Sequence, residues 1–186
     1  MSNAKLQKDP GPEVSGLWSF SKLYLILAFI FVILISYILW YGNGLVLTVI
    51  PEHAQKAFYF PVQKGDEWSY EYIHSVQKTP CLEVFQIQGA HDMIMTYTKY
   101  QSYGVGLPCY PEDGTFSQTE DGHFILVMNR PFSSVQFRTH EIPKPRLFIA
   151  GQELPLYKLY ESGSLVEVTV EKRYKTWLKM GRESNK

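Results

Sequence analysis

An uninterrupted apolar run, LYLILAFIFVILISYILWY from Leu23 to Tyr41, constrains this chain more than any other feature. It holds nineteen residues without a charge, and Ser36 is its only hydroxyl apart from the tyrosines. At helical rise it measures about 28 Å, close to the roughly 30 Å hydrocarbon core of a bilayer. A lone segment in lipid must satisfy its own backbone hydrogen bonds, so the run predicts a transmembrane helix. Trp18 and Phe20 precede it, and Trp40 and Tyr41 close it, as amphipathic rings do at membrane interfaces. A buried core helix is the alternative. It is disfavoured because the run is apolar on every face.

The flanks give the orientation. Lys5, Lys8 and Lys22 lie before the run, and the first lysine or arginine after it is Lys56. The positive-inside rule then places residues 1–22 in the cytoplasm as a polar lead, and everything after the span outside, across a bacterial cytoplasmic membrane. The run is longer than a signal-peptide core, and SYILWYGNG offers no small-x-small cleavage site, so an uncleaved signal anchor is expected. Acidic and basic residues balance at eighteen each, which removes any electrostatic case for nucleic acid as a partner.

After the anchor the chain reads as strands. LVLTVI (45–50), FYFPV (58–62), WSYEYIHS (68–75), LEVFQIQ (82–88) and DMIMTYTKY (92–100) have strand composition. HFILVMN (123–129), apolar on both faces, is expected to be central. SVQFRT and a hairpin RLFIA–GQ–ELPLYKL turning at Gly151-Gln152 follow. SLVEVTVEKRY ends the set, with Val166, Val168 and Val170 inward and Glu167, Thr169 and Glu171 outward. Eight or nine short antiparallel strands with no amphipathic helix predict an all-β sandwich or partly open barrel over 45–176. Residues 177–186 form a basic tail. The tail, starting from Lys172, is expected to be solvated and frayed, with a position against lipid headgroups as the lesser alternative.

Strand alternation also suggests a site. Trp68, Tyr70, Tyr72 and His74 share one face, and Glu83, Phe85 and Ile87 share another. An antiparallel register setting Tyr72 against Phe85 and Tyr70 against Ile87 brings His74 opposite Glu83. Two roles remain open for that pair: mutual satisfaction of two polar groups at a sheet end, or one wall of a ligand or partner pocket. Ser75 lies on the opposite face from His74, and no nucleophile elbow exists, so no serine hydrolase is expected. The histidines at 53, 74, 91, 123 and 140 lack metal-ligand spacing. Neither metal nor cofactor is expected.

PVQKGDEWSYEYIHSVQKTPCLEVF (61–85), followed by YQSYGVGLP (100–108), resembles a bacterial family of small extracytoplasmic domains. These are commonly encoded beside, or fused to, TRAP transporters of the TAXI class. The matching motifs contain Gly65, Asp66, Tyr72, His74, Ser75, Val76, Thr79, Pro80, Glu83 and Phe85, then Ser102, Gly104, Gly106, Leu107 and Pro108. The resemblance continues more weakly from Phe137 to VEVTVE. It implies an accessory role near a solute transporter, with a TRAP permease or solute-binding protein as partner, and supplies no chemistry.

The ligand- or partner-binding set expected on this basis is Tyr72, His74, Ser75, Thr79 and Glu83, joined by Ser102, Tyr103, Gly104 and Gly106 from the glycine loop. Exposed amides between glycines can bind an anion, although a plain tight turn is the simpler account. Cys81 and Cys109 depart from the family pattern. Each follows a proline inside one of the two motifs, and a disulfide between them is expected, worth roughly 3–4 kcal/mol in the chain-entropy model. An accessory or interaction subunit is therefore the leading function. A stand-alone binding module comes next, and an exported enzyme last.

Overall fold

The structure, a computed structural model, describes residues 15–52, 56–101 and 114–183. It divides into two units, Met1–Tyr41 and Gly42–Lys186. The first contains all but the last residue of helix α1 (Ser15–Gly42), in which Lys22–Gly42 is long and apolar enough to cross a membrane. Residues 22–41 of that stretch are all exposed, and Gly42 is buried. The helix begins eight residues before the apolar run, so part of the predicted polar lead is helical.

The second unit is an all-β sandwich. Its strands are β1 (Leu45–Pro51), β2 (Phe58–Val62), β3 (Glu67–Ile73), β4 (Pro80–Gly89), β5 (Asp92–Tyr100) and β6 (Thr115–Gln118). They continue with β7 (Phe124–Phe132), β8 (Ser134–Arg138), β9 (Arg146–Ile149), β10 (Gln152–Pro155) and β11 (Leu165–Lys172). A helical turn, α2 (Leu156–Leu159), follows β10, and helix α3 (Arg173–Glu183) follows β11. One sheet has the order β2-β1-β11-β8 and the other β10-β9-β3-β4-β5-β7-β6, all neighbours antiparallel. The core lies between them. Leu47, Val49, Val166, Val168 and Val170 of the smaller sheet meet Trp68, Phe85, Ile87, Met93, Leu147 and Ile149 of the larger.

The predicted fold class holds, and the detail differs in five places. Among the described residues eleven strands form rather than eight or nine: every segment read as a strand contains one, the ELPLYKL arm turns helical after Pro155, and the four-residue β6, too short to stand out in sequence, is added. β7 is next to the edge strand β6 instead of central. Its apolar outer face is left partly in solvent, with Val127 half exposed. The β9–β10 turn is Ala150-Gly151, one residue earlier than expected, since Ile149 pairs with Gln152 and both turn residues have positive φ (49° and 75°). That is the backbone a two-residue primed turn requires.

Part of the outward face of β11 is also buried: Thr169 and Glu171 are about 6% and 5% exposed, while Glu167 is half-buried. Thr169 Oγ1 donates to the Ser133 carbonyl at 3.0 Å, and the His91 N–H donates to the Val170 carbonyl at 2.7 Å, just past the end of β8. Glu171 is covered by α3, whose Lys179 forms an ion pair with it. The expected frayed tail is thus a helix to Glu183, which also overturns the expectation that no amphipathic helix is present. A boundary at 176 would cut through it.

Candidate functional site

The β3–β4 hairpin sets the geometry of the predicted site, and its register differs from expectation. Trp68 opposes Phe85, Tyr70 opposes Glu83, and Tyr72 opposes Cys81. The faces are those predicted, but the pairing is displaced by four residues. Two causes act together. Trp68 and Phe85 stack at 4.4 Å and 9°, burying the largest apolar pair in the hairpin. The hairpin then closes early: the His74 N–H donates to the Thr79 carbonyl at 2.9 Å, and Lys78, with φ 58°, turns the chain.

His74 therefore does not meet Glu83, which lies about four residues, roughly 13 Å, back along the strand. Its ring serves its own loop. Nδ1 accepts from the N–H groups of Val76 at 3.3 Å and Gln77 at 3.2 Å, which places the ring proton on Nε2. Buried His74 thus caps the turn as a short polar side chain caps an Asx-turn.

Glu83 is held by tyrosines instead. The Tyr72 hydroxyl donates to its Oε1 at 3.4 Å, and Tyr70 lies directly across the strand pair. The Tyr70 ring stacks on Tyr72 (5.0 Å, 25°) and, across the sandwich, on Phe137 of β8 (4.5 Å, 10°). Cys81, fully buried, continues the row beside Tyr100, with Tyr72, Phe116 and Phe124 packed around them. This is a second, smaller core at one end of the larger sheet.

The electrostatics follow from one half-buried carboxyl among aromatic rings. Desolvation holds Glu83 above the usual carboxylate range, opposed by the Tyr72 hydrogen bond and the charge of Arg130. Burial, then the nearby Glu83, pushes both tyrosine hydroxyls well above their ordinary value. Burial likewise pushes the Cys81 thiol up to about 11, against a lowering hydrogen bond with Tyr72. The cluster favours neutral, protonated groups. It presents hydrogen-bond donors and a reluctant carboxylate, and it lacks the activated thiolate that nucleophilic chemistry requires.

Ser75 and Thr79 remain with His74 in the loop, apart from Glu83. Ser75 and Lys78 border an open cleft of about 490 Å³ whose other wall is His140, Glu141, Ile142, Pro143 and Ser162. The Ile73 N–H donates to the Pro143 carbonyl at 2.7 Å and fastens that wall to β3. His140 Nδ1 and Ser162 Oγ are 3.3 Å apart at the surface. Among the described residues no carboxylate hydrogen-bonds the other ring nitrogen, so no triad forms.

Ser102, Tyr103, Gly104, Gly106 and Cys109 lie outside the described residues. Cys81 is a free, fully buried thiol whose side chain lies in the aromatic cluster, and Cys109, its partner in the expected disulfide, lies outside the described residues. Among the described residues, no group of three histidine, cysteine or acidic side chains is placed to hold a metal.

Sequence reasoning missed Tyr70, Phe137 and the 140–143 wall. Tyr70 was visible in principle, as it shares its face with Tyr72 and Glu83 under any register of the same parity. Phe137 and the wall carry no local signal, since only the sheet-to-sheet packing brings them close.

No curated protein and no solved structure matches the chain. Residues 69–156, from β3 through β10 and so almost all of the larger sheet together with β8, carry a match to the family described as Domain of unknown function (DUF1850).

Proposed function

We propose that this chain is a single-pass membrane protein whose β-sandwich stands outside the cytoplasm. There it serves as an accessory or interaction subunit beside a solute transporter of the TRAP type, TAXI class. The observation that carries the reading is the tether. Only Asn43 and Gly44 separate the end of the apolar helix at Gly42 from the first strand at Leu45. A sandwich on so short a leash samples membrane neighbours at high effective concentration, and a single span forms no transport path by itself. The transporter assignment rests on the HSV–TP–E and SYGVGLP motifs. The absence of enzymatic function rests on the chemistry of the cluster, where the cysteine is held protonated and His74 is committed to its loop.

Crosslinking the full-length protein in native membranes and identifying the adducts by mass spectrometry tests this reading. A multi-span permease or its solute-binding protein is the expected adduct. A reporter fused to the C-terminus should be active only outside the cytoplasm, and cytoplasmic activity would overturn the topology.

A second reading is favoured by the cleft between the HSVQKT loop and residues 140–143, whose mixed lining of Lys78, Glu141 and Ile142 suits a small polar ligand. Recovery of the protein without a crosslinked partner would favour it.

A further inference from the structure

Helix α3 leaves a face of unusual composition in solvent. Tyr174, Trp177 and Leu178 are 46%, 41% and 63% exposed and, at spacings of three and four, lie on one side of the helix. Thr176 is buried against the sandwich. Lys175 and Lys179, both exposed, form the adjoining side. Lys172 and Arg173 precede them, so the segment 172–183 carries five basic residues against the single acid Glu183. Lys179 is partly engaged by Glu171. An apolar face bordered by lysine and arginine, with tyrosine and tryptophan in it, has the composition of a helix lying in a membrane interface.

Its position within the sandwich unit supplies the occupant. The Arg173 N–H donates to the Gly44 carbonyl at 2.8 Å, and Lys172 Nζ donates to the Asn43 carbonyl at 3.1 Å. A Cβ built on Gly42 would lie 3.6 Å from Tyr174 Cβ and 3.7 Å from Trp177 Cζ3. The helix is therefore fastened to the three residues through which the chain leaves the apolar run. Given that Leu23–Tyr41 spans the bilayer, on which this inference rests, those residues lie at the membrane surface. We infer that α3 is an interfacial docking helix, seating Tyr174, Trp177 and Leu178 among the upper acyl-chain segments while its basic side meets anionic phospholipid headgroups. The sandwich is then held at two points, which fixes the face it turns to neighbours in the membrane.

Tryptophan quenching by brominated phospholipids tests this in the full-length protein reconstituted into phosphatidylcholine nanodiscs with and without phosphatidylglycerol. Subtracting the emission of Trp177→Phe isolates Trp177. That emission should be blue-shifted and quenched more by bromines near the headgroup than by deep ones, and more strongly when phosphatidylglycerol is present. Lys175→Glu should weaken the quenching in the anionic discs only, and Leu178→Asp should weaken it in both, each with an unchanged unfolding temperature. Unquenched Trp177 emission, with the remaining emission (which includes Trp40) quenched, would overturn the docking helix and leave the span intact. No quenching of either would overturn the span as well. Equal quenching in both lipid mixtures would overturn the anionic-headgroup assignment.

Discussion

The Tyr72 hydroxyl donates to Glu83 Oε1 at 3.4 Å, inside an aromatic cluster that raises the carboxyl's proton affinity. The sign of the stability effect follows. A carboxyl whose folded-state value lies above its unfolded value, about 4.3, keeps its proton longer in the folded protein. Its contribution is complete below the unfolded value and is lost as pH rises through the raised folded one. Glu83→Gln keeps the shape and an acceptor for Tyr72 while removing the charge. The variant should therefore be more stable than the parent at neutral pH and closely matched to it in acid. Thermal unfolding in detergent across that range checks this, and a Gln variant less stable at neutral pH would reject the account.

Tyr72→Phe removes the donor and leaves the Glu83 carboxyl to the rings and Arg130. The cost should be about 0.5–1.5 kcal/mol, the net worth of one intramolecular hydrogen bond. Because that hydrogen bond favours the ionised form, its loss should carry the fall in stability with rising pH to higher pH. Placing Tyr72→Phe in the Glu83→Gln background should abolish that displacement, which a purely steric role for the hydroxyl would not produce.

Much of the fold was legible because the signals are local. Leu23–Tyr41 announces itself by length and composition, and the valines at 166, 168 and 170 alternate as a strand facing a core must. The hairpin faces were also legible, since parity alone fixes that Tyr70, Tyr72, Glu83 and Phe85 point the same way. Register was not. Several registers of equal parity pair aromatic with apolar residues, and the choice falls to the Trp68–Phe85 stack and to a His74 cap within its own loop. The burial of Thr169 and Glu171 was hidden for a different reason. An outward strand face stays polar in sequence whether it meets water or, as here, His91 and Ser133 at Thr169 and α3 at Glu171.

The register itself is open to test. Trp68→Ala and Phe85→Ala each empty a fully packed site and should cost about 3–5 kcal/mol. In a double-mutant cycle the pair should couple by about 0.5–1.5 kcal/mol, as stacked rings do. A Tyr72–Phe85 cycle should be additive, because those residues are separated along the strand pair by about four residues. The opposite pattern would restore the register in which His74 faces Glu83.

His74→Ala deprives the Val76 and Gln77 N–H groups of their acceptor and empties a buried ring site, so it should cost about 1–3 kcal/mol. His74→Asn, whose carbonyl reaches the same amides, should recover part of that loss. Hydrogen exchange localises the effect: protection should fall at residues 76 and 77 and hold at Glu83. Loss of protection centred on Glu83 would show that the imidazole acts on the carboxyl after all.

Cys81 gives the sharpest contrast between the two accounts of this domain. Its thiol is fully buried and pushed up to about 11, so at neutral pH it is both inaccessible and protonated. Alkylation of the folded full-length protein without reductant should leave Cys81 unmodified, and alkylation after unfolding, still without reductant, should modify it completely. A disulfide to Cys109 would instead keep Cys81 unreactive in the unfolded protein until reductant is added. Peptide-resolved mass spectrometry separates the two outcomes. Rapid labelling in the folded state would contradict both, and would require the Tyr72–Tyr100 end of the sandwich to open on the timescale of the reagent.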